Sequence, residues 1–357
     1  MFFFDKSDAF LRYLLIGALI MVILVGMNIT SYLINMIVIS LILAMLGTPV
    51  FYILKKRGFS DIVSVAVIMV IYALIVLGFV ILIFESFNML IVNLPKYEEL
   101  FTYRINDLLD ILKNFGFTTE SLFSLTPDWS LISKLTLMIA GSVSALLMDG
   151  FFIVVITCFL LLEIPALPGR IIKITGGDDK LTGQYQEMCN SMIGWIVAKT
   201  KTNLVLGGAF GAMLYAMGID LALFLGVLAV VLSYIPYIGL LIVAVPAVIL
   251  AWLQLGLIGA VIVVVGICII NAIVENIVFS KFAEKDMNMP PLVVILSLIL
   301  WTWVLGPIGM LISVPFTIMI LIAFRYIECT KWIPVILGMD EKRPYEDEKA
   351  NSDKESV

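Results

Sequence analysis

Runs of about twenty residues with almost no charge recur along this chain, as in FLRYLLIGALIMVILVGMNI at 10–29. An α-helix rises about 1.5 Å per residue, so such a run spans the roughly 30 Å hydrocarbon core of a bilayer. Inside that core every backbone N–H and C=O must find a partner within the protein, which admits only helices or closed barrels. Strands of about ten residues with alternating polarity are missing, so a barrel is rejected. Hydrophobic residues make up 62% of the chain and charged ones 14%, against roughly 45–50% and 25% in soluble domains. The chain therefore reads as an all-α, polytopic membrane protein in a lipid bilayer.

Full spans are expected near 9–27, 32–54, 62–85, 142–163, 201–218 and 256–278. The N-terminal MFFFDKSDAFLRY runs into the first apolar stretch without an A-x-A cleavage site, and reads as a retained span. The coarse organisation is a three-span unit at 1–85, an extracytoplasmic insert at 86–140, a transport core at 141–326 and a charged tail at 327–357. Within the insert, Phe101, Ile105, Leu108 and Leu112 recur at helical spacing opposite Arg104, Asp107, Asp110 and Lys113. That pattern predicts an amphipathic helix lying on the membrane or on a neighbouring subunit. A further helix is expected to start at Pro127 behind Thr126 as its cap. The tail from Asp340 lacks an apolar face and is expected to be disordered.

Basic residues favour the cytoplasmic side of a membrane protein. With the N-terminus inside, 18 of the 22 Lys and Arg fall on inside segments, leaving Lys96, Arg104, Lys113 and Lys134 outside. Both termini are thus expected in the cytoplasm, with the chain in the cell membrane. The net charge of −5 argues against nucleic acid as a partner. Histidine is absent, which removes the commonest metal ligand and general base. No phosphate-binding loop, G-x-S-x-G elbow or H-E-x-x-H helix occurs, so no enzyme, metal site or ATP-driven pump is expected. The four cysteines, widely spaced and mostly in apolar runs, read as small hydrophobes.

Two segments break the pattern. SYIPYIGLLIVAVPAVILAW at 233–252 carries Pro236, Gly239 and Pro246, although proline removes a helix donor and glycine forms helix poorly. Its apolar arms, 221–235 and 240–253, are too short to cross a bilayer fully. The same holds for 291–304 and 310–325, joined by the GPIG at 306–309. IGLLIVAVP at 238–246 aligns with IGMLISVP at 308–315 when one position is skipped. One crossing, 256–278, separates the two, so they are expected to be re-entrant or broken-helix hairpins inserted from opposite faces. Paired interruptions of this kind mark a transporter's binding site, with inverted repeats. The expected site therefore includes the tips, Pro236, Gly239, Pro307 and Gly309, around one wet pocket.

Between the hairpins, INAIVENIVFSK at 270–281 puts Asn271 and Glu275 on one helix face with Asn276 beside them. A carboxylate in a span is expensive unless paired, protonated or solvated, which makes Glu275 the main functional candidate. Ser297 and Trp301 share another face and join the candidates. Asp149, in LLMDGFF, is a weaker one. Lys199 and Lys201 read as interfacial anchors.

IPYIG at 235–239, VENIVFSKF at 274–282, PPLVVILSL at 290–298 and LGPIGMLISVP at 305–315, in this order, resemble the autoinducer-2 exporter family. The resemblance covers roughly 9–326 and includes TPVFYILKKRGFS at 48–60. The sequence departs from the family's usual pattern at Phe279 and Ser280, where a proline is common, and at Pro290, where a histidine is common. These departures bear on substrate identity more than on fold. The resemblance implies a multi-pass exporter of small polar solutes, with inverted repeats and a homo-pentameric assembly. Members carry autoinducer-2 in some cases and exchange Na⁺ for H⁺ in others. Expected functions are export of a small hydrophilic solute, with Na⁺ or H⁺ as coupling ion and no other cofactor; a Na⁺/H⁺ antiporter using Glu275; and, ranked last, a non-transporting scaffold.

Overall fold

A computed structural model describes residues 9–114, 129–163, 179–279, 289–327 and 330–337, with Arg170 and Lys173. The expected helix start at Pro127 and the tail beyond 337 lie outside them. Most of the described residues are helical, joined by short turns, and none of them forms a strand. Among the described residues ten helices follow in order: α1 (Ala9–Ile29), α2 (Ser31–Lys56), α3 (Asp61–Asn114), α4 (Trp129–Glu163) and α5 (Asp179–Ala216), then α6 (Ala222–Leu232), α7 (Gly239–Ile273), α8 (Pro291–Leu305), α9 (Pro307–Tyr326) and α10 (Trp332–Ile336). A six-residue π-helical turn, Val274–Phe279, extends α7.

Among the described residues, four helices reach the length and apolarity of a membrane crossing: Ser31–Lys56, Asp61–Asp107, Gly239–Phe279 and Pro307–Tyr326. Ala222–Leu232 and Pro291–Leu305 are apolar but shorter. Large apolar side chains cover the outside, including Val22, Ile62 and Ile258. A water-facing surface would not hold so wide an apolar area, whereas lipid accommodates it.

Polar side chains inside the bundle bond the backbone. Tyr72 donates to the Leu43 carbonyl (2.6 Å) and Thr157 to that of Ile153 (2.7 Å). Such pairing follows from the high cost of an unsatisfied group in hydrocarbon. α5 and α6 meet through glycines: a Cβ on Gly207 would fall 2.5 Å from the Gly226 carbonyl, and one on Gly226 2.9 Å from Cα of Gly211. Small residues let two helices approach closely where lipid supplies no hydrophobic drive.

Both interrupted segments fold as helical hairpins. In the first, α6 ends at Leu232, a turn runs over 233–238, and α7 starts at Gly239. In the second, Gly306 (φ 67°) alone separates α8 from α9. Glycine serves the same purpose at both tips. A Cβ on Gly239 would stand 1.7 Å from the Leu232 carbonyl oxygen, and one on Gly309 1.9 Å from that of Trp301. No other residue lets the returning arm lie so close.

α3 is a single 54-residue helix, and at about 1.5 Å per residue it runs some 80 Å. That is nearly twice a whole bilayer with its headgroups, so its far end projects as an arm. The described part of the amphipathic segment, up to Asn114, thus continues α3, and it packs on its own chain. Phe101 meets Trp252 edge to face at 5.9 Å. α7 is broken at Gly256 (φ 76°, ψ −166°), a conformation essentially confined to glycine. The break frees carbonyls of the preceding turn, and Arg104 takes them: Nε donates to Leu253 O (3.2 Å) and Nη2 to Gln254 O (3.3 Å). A cation at a helix C-terminus also complements the dipole. Beside it, Asp220 in the α5–α6 turn accepts from Tyr97 (2.9 Å) and Gln254 (2.8 Å).

Candidate functional site

The first hairpin tip closes one side of a cavity of about 480 Å³. Ser233, Ile235, Pro236 and Tyr237 come from the tip, Trp195 and Lys199 from α5, and Cys268, Asn271 and Glu275 from α7 and its π turn. The walls are otherwise apolar, with Val294 and Val314 supplied by the second hairpin. A few polar groups converging in an apolar hollow of this size are the usual make-up of a small-molecule site.

The tip has local reasons for its shape. Pro236 provides no N–H, and Ile238 N–H donates back to the Pro236 carbonyl (2.7 Å) across Tyr237. Tyr237 is held at φ 62°, a left-handed conformation that costs an L-residue energy and clusters at functional sites. The carboxyl end of α6 is capped by Asn203, whose Nδ2 donates to Val230 O (3.1 Å). Two oxygens there, Asn203 Oδ1 and Ser233 Oγ, are buried without a partner among the described residues.

Opposite the tip, Lys199 Nζ stands 2.8 Å from Glu275 Oε1. The lysine side chain is 9% exposed and the glutamate 37%, so the ammonium is desolvated while the carboxylate opens into the cavity. The ammonium also lies 5.3 Å from the centre of the Phe279 ring, a favourable cation–π placement. Glu275 belongs to the π turn, a geometry found often at functional positions. Lys199 is thus an inward ion-pair partner and not an interfacial anchor. Lys201, two residues on, is exposed.

Asn271 and Glu275 share a face and both reach the cavity. Pro236 lines it, and Gly239 is buried where the tip turns into α7. Asn276 is exposed and donates to the Ala272 carbonyl (2.8 Å). Asp149 accepts from Tyr32 (2.7 Å), away from the cavity.

The second tip does not meet the first. Pro307 is exposed, Gly309 is buried under Trp301, and neither lines the cavity. Ser297 donates to the Val294 carbonyl (2.8 Å), and Trp301 Nε1 donates to Thr317 Oγ1 (3.0 Å) while its ring packs on Phe316. Both are buried, and neither lines the cavity. The open carbonyls at this tip are satisfied by α1 and α2. Asn28 Nδ2 donates to Trp303 O (2.7 Å), and Asn35 Nδ2 to Leu305 O (3.1 Å). Among the described residues the cavity thus gathers the first tip and not the second: the first tip lies beside Lys199 and Glu275, and the second beside the α1–α2 turn.

Lys199, Ser233 and Trp195 are the site residues that sequence patterns do not single out. Asn28 and Asn35 carry a visible signal, amides in an apolar run, but their partners lie some 270 residues away in sequence.

Three relatives align along most of this chain. The Escherichia coli K12 protein named AI-2 transport protein TqsA is 26% identical over 92% of this chain and 96% of its own. A Haemophilus influenzae protein named "Putative transport protein" is 28% identical over the same shares. E. coli K12 YhhT, with the same description, is 26% identical over 88% of this chain and 89% of its own. These relatives are named as transport proteins and not as enzymes. The profile described as AI-2E family transporter matches residues 16–328, and the chain belongs to that family of membrane transporters.

Proposed function

We propose that this chain is a secondary transporter that exports a small hydrophilic solute across the cell membrane by alternating access. The observation that carries this reading is the 480 Å³ cavity at a broken-helix tip, with Lys199, Glu275, Asn271 and Ser233 converging on it. Its volume suits a small organic molecule and far exceeds what a bare cation needs. Asn271 orients the solute, and the irregular backbone at 233–238 hydrogen-bonds it, as the unwound segments of transporters do. Glu275 couples the movement to Na⁺ or H⁺. The chain sits with both termini in the cytoplasm, on the balance of its basic residues, and works as a homo-oligomer, a pentamer by family resemblance. Autoinducer-2 is the first solute to try, since the TqsA relative bears that compound in its name.

The test is efflux from proteoliposomes loaded with autoinducer-2. The reading expects efflux above protein-free vesicles, and a loss of at least roughly tenfold in Asn271→Ala, the equivalent of about 1.4 kcal/mol. Equal efflux with and without protein, for autoinducer-2 and for a panel of small polyols, contradicts it. A second reading, Na⁺/H⁺ antiport without an organic solute, is favoured by one observation, the desolvated Lys199–Glu275 pair. A Na⁺ jump that shifts luminal pH in vesicles lacking any solute would support it.

A further inference from the structure

We infer that Ser233 is the residue by which the cavity selects its solute: its Oγ pairs with a hydroxyl group of that solute, and Asn203 keeps it free to do so. The inference rests on the reading of the cavity as the solute's site, and it names the group that the site recognises.

A serine or threonine in a helix commonly donates its proton to a carbonyl three or four residues back. The buried Ser40, Thr157, Thr202, Ser297 and Ser313 all do so, at 2.7–3.0 Å. Ser233 is comparably buried, at 6% exposure, yet its Oγ has no partner among the described residues. The reason lies at the end of α6. Tyr234 N–H turns to Val231 O (3.4 Å), which removes the usual backbone donor from Val230 O. A bare carbonyl three residues back would draw the serine proton. Asn203 satisfies it from α5 instead, with Nδ2 donating at 3.1 Å.

The freed hydroxyl belongs to the wall of the cavity of about 480 Å³, which Asn271 of α7 also lines. The Asn271 amide has no side-chain hydrogen bond to a described residue either. A buried polar atom without a partner costs free energy, so the two call for a ligand that can pair with them. Hydroxyl and amide both give and accept hydrogen bonds, as a hydroxyl group of a solute does. A carboxylate or an ammonium would instead bring net charge into a largely apolar hollow, where the Lys199 and Glu275 charges already cancel. Asn203 does not line the cavity. It is a positioning residue, and acts on the solute through Ser233. A site built to bond a hydroxyl discriminates strongly against the analogue lacking it, because its own polar group is then left unpaired.

The experiment measures efflux from proteoliposomes holding the full chain, with autoinducer-2 and a panel of small polyols as probes. Each probe is paired with analogues lacking one hydroxyl, and the ratio of the two rates is read. Wild type is expected to favour at least one parent over its deoxy analogue by about tenfold or more. In Ser233→Ala that ratio should fall toward one, whereas Ser233→Thr, which keeps a hydroxyl, should retain it. Asn203→Leu leaves Val230 O bare, so Ser233 turns to it and the ratio falls although the serine is still present. Combining Asn203→Leu with Ser233→Ala should then lower the ratio no further than either change alone. Size-exclusion chromatography checks each fold; should Asn203→Leu not fold, Ser233→Ala against Ser233→Thr decides alone. An undiminished ratio in Ser233→Ala overturns the proposal, as do additive falls in the double variant. Wild type that moves parents and analogues equally well also overturns it, and leaves the transport reading standing. Wild type that moves none of the probes overturns both.

Discussion

Lys199 and Glu275, 76 residues apart in sequence, meet at 2.8 Å with unequal shielding: 9% of the lysine side chain is exposed and 37% of the glutamate. The pair joins α5 to the π turn after α7 across the cavity that the first hairpin closes. Removing one partner of a buried pair strands the other charge, and the damage depends on which charge is left. Glu275→Ala leaves a desolvated ammonium and should destabilise by roughly 3 kcal/mol. Lys199→Met leaves a carboxylate that water can reach, and should cost less than about 1 kcal/mol. Thermal unfolding in detergent followed by tryptophan fluorescence compares them. Equal losses would show that the two sides of the pair are equally shielded.

The hairpins depend on two glycines. Gly239→Ala and Gly309→Ala drive a methyl group to within 2 Å of the Leu232 and Trp301 carbonyl oxygens, so the arms must separate. The loss should exceed the roughly 1–3 kcal/mol usual for overpacking, because a backbone atom blocks the way. Gly208→Ala, with nothing within 4 Å of the added carbon, serves as control and should be neutral or gain up to about 1 kcal/mol of helix propensity. Yield of folded protein and melting temperature provide the comparison. Tolerance of alanine at 239 would mean the arms do not pack as described.

Arg104 holds the break in α7. Arg104→Ala strips both donors from Leu253 O and Gln254 O and should cost about 1–3 kcal/mol. Hydrogen exchange should rise at 250–257 while the second hairpin stays protected. Uniform exchange along the chain would deny the arm a local role.

Tyr237 should carry strain. Its φ of 62° costs an L-residue about 1–2 kcal/mol and glycine almost nothing. Since the side chain is exposed, Tyr237→Gly sacrifices little packing and should raise the melting temperature. A lower melting temperature would show that the ring contributes more than the backbone gives up.

Much of this was legible from residue patterns. Apolar runs located the helices, and Pro236, Gly239, Gly306 and Pro307 located the two turns because those residues resist a continuous helix. Asn271 and Glu275, four residues apart, could be placed on one face. Patterns fail where meaning lies in long-range pairing. Lys199 resembles any lysine near a helix end until Glu275 stands opposite it. The second tip looks as open as the first until Asn28 and Asn35 are found closing it. The amphipathic stretch around Phe101 and Arg104 announces an apolar partner without naming it, and that partner is the chain's own Trp252 beside the Gly256 break.

In the proposed transport cycle the solute passes through the cavity at the first tip. Ala244 lines it, and Ala244→Trp would fill it with an indole while leaving Lys199, Glu275 and the tip unaltered in sequence. Autoinducer-2 efflux from proteoliposomes is the direct measurement, with folding checked by size-exclusion chromatography. Efflux by wild type and a fall of at least roughly tenfold, or about 1.4 kcal/mol, in a well-folded Ala244→Trp is the expected result. Wild-type efflux from the plugged variant would contradict the account, because the solute would then be crossing elsewhere.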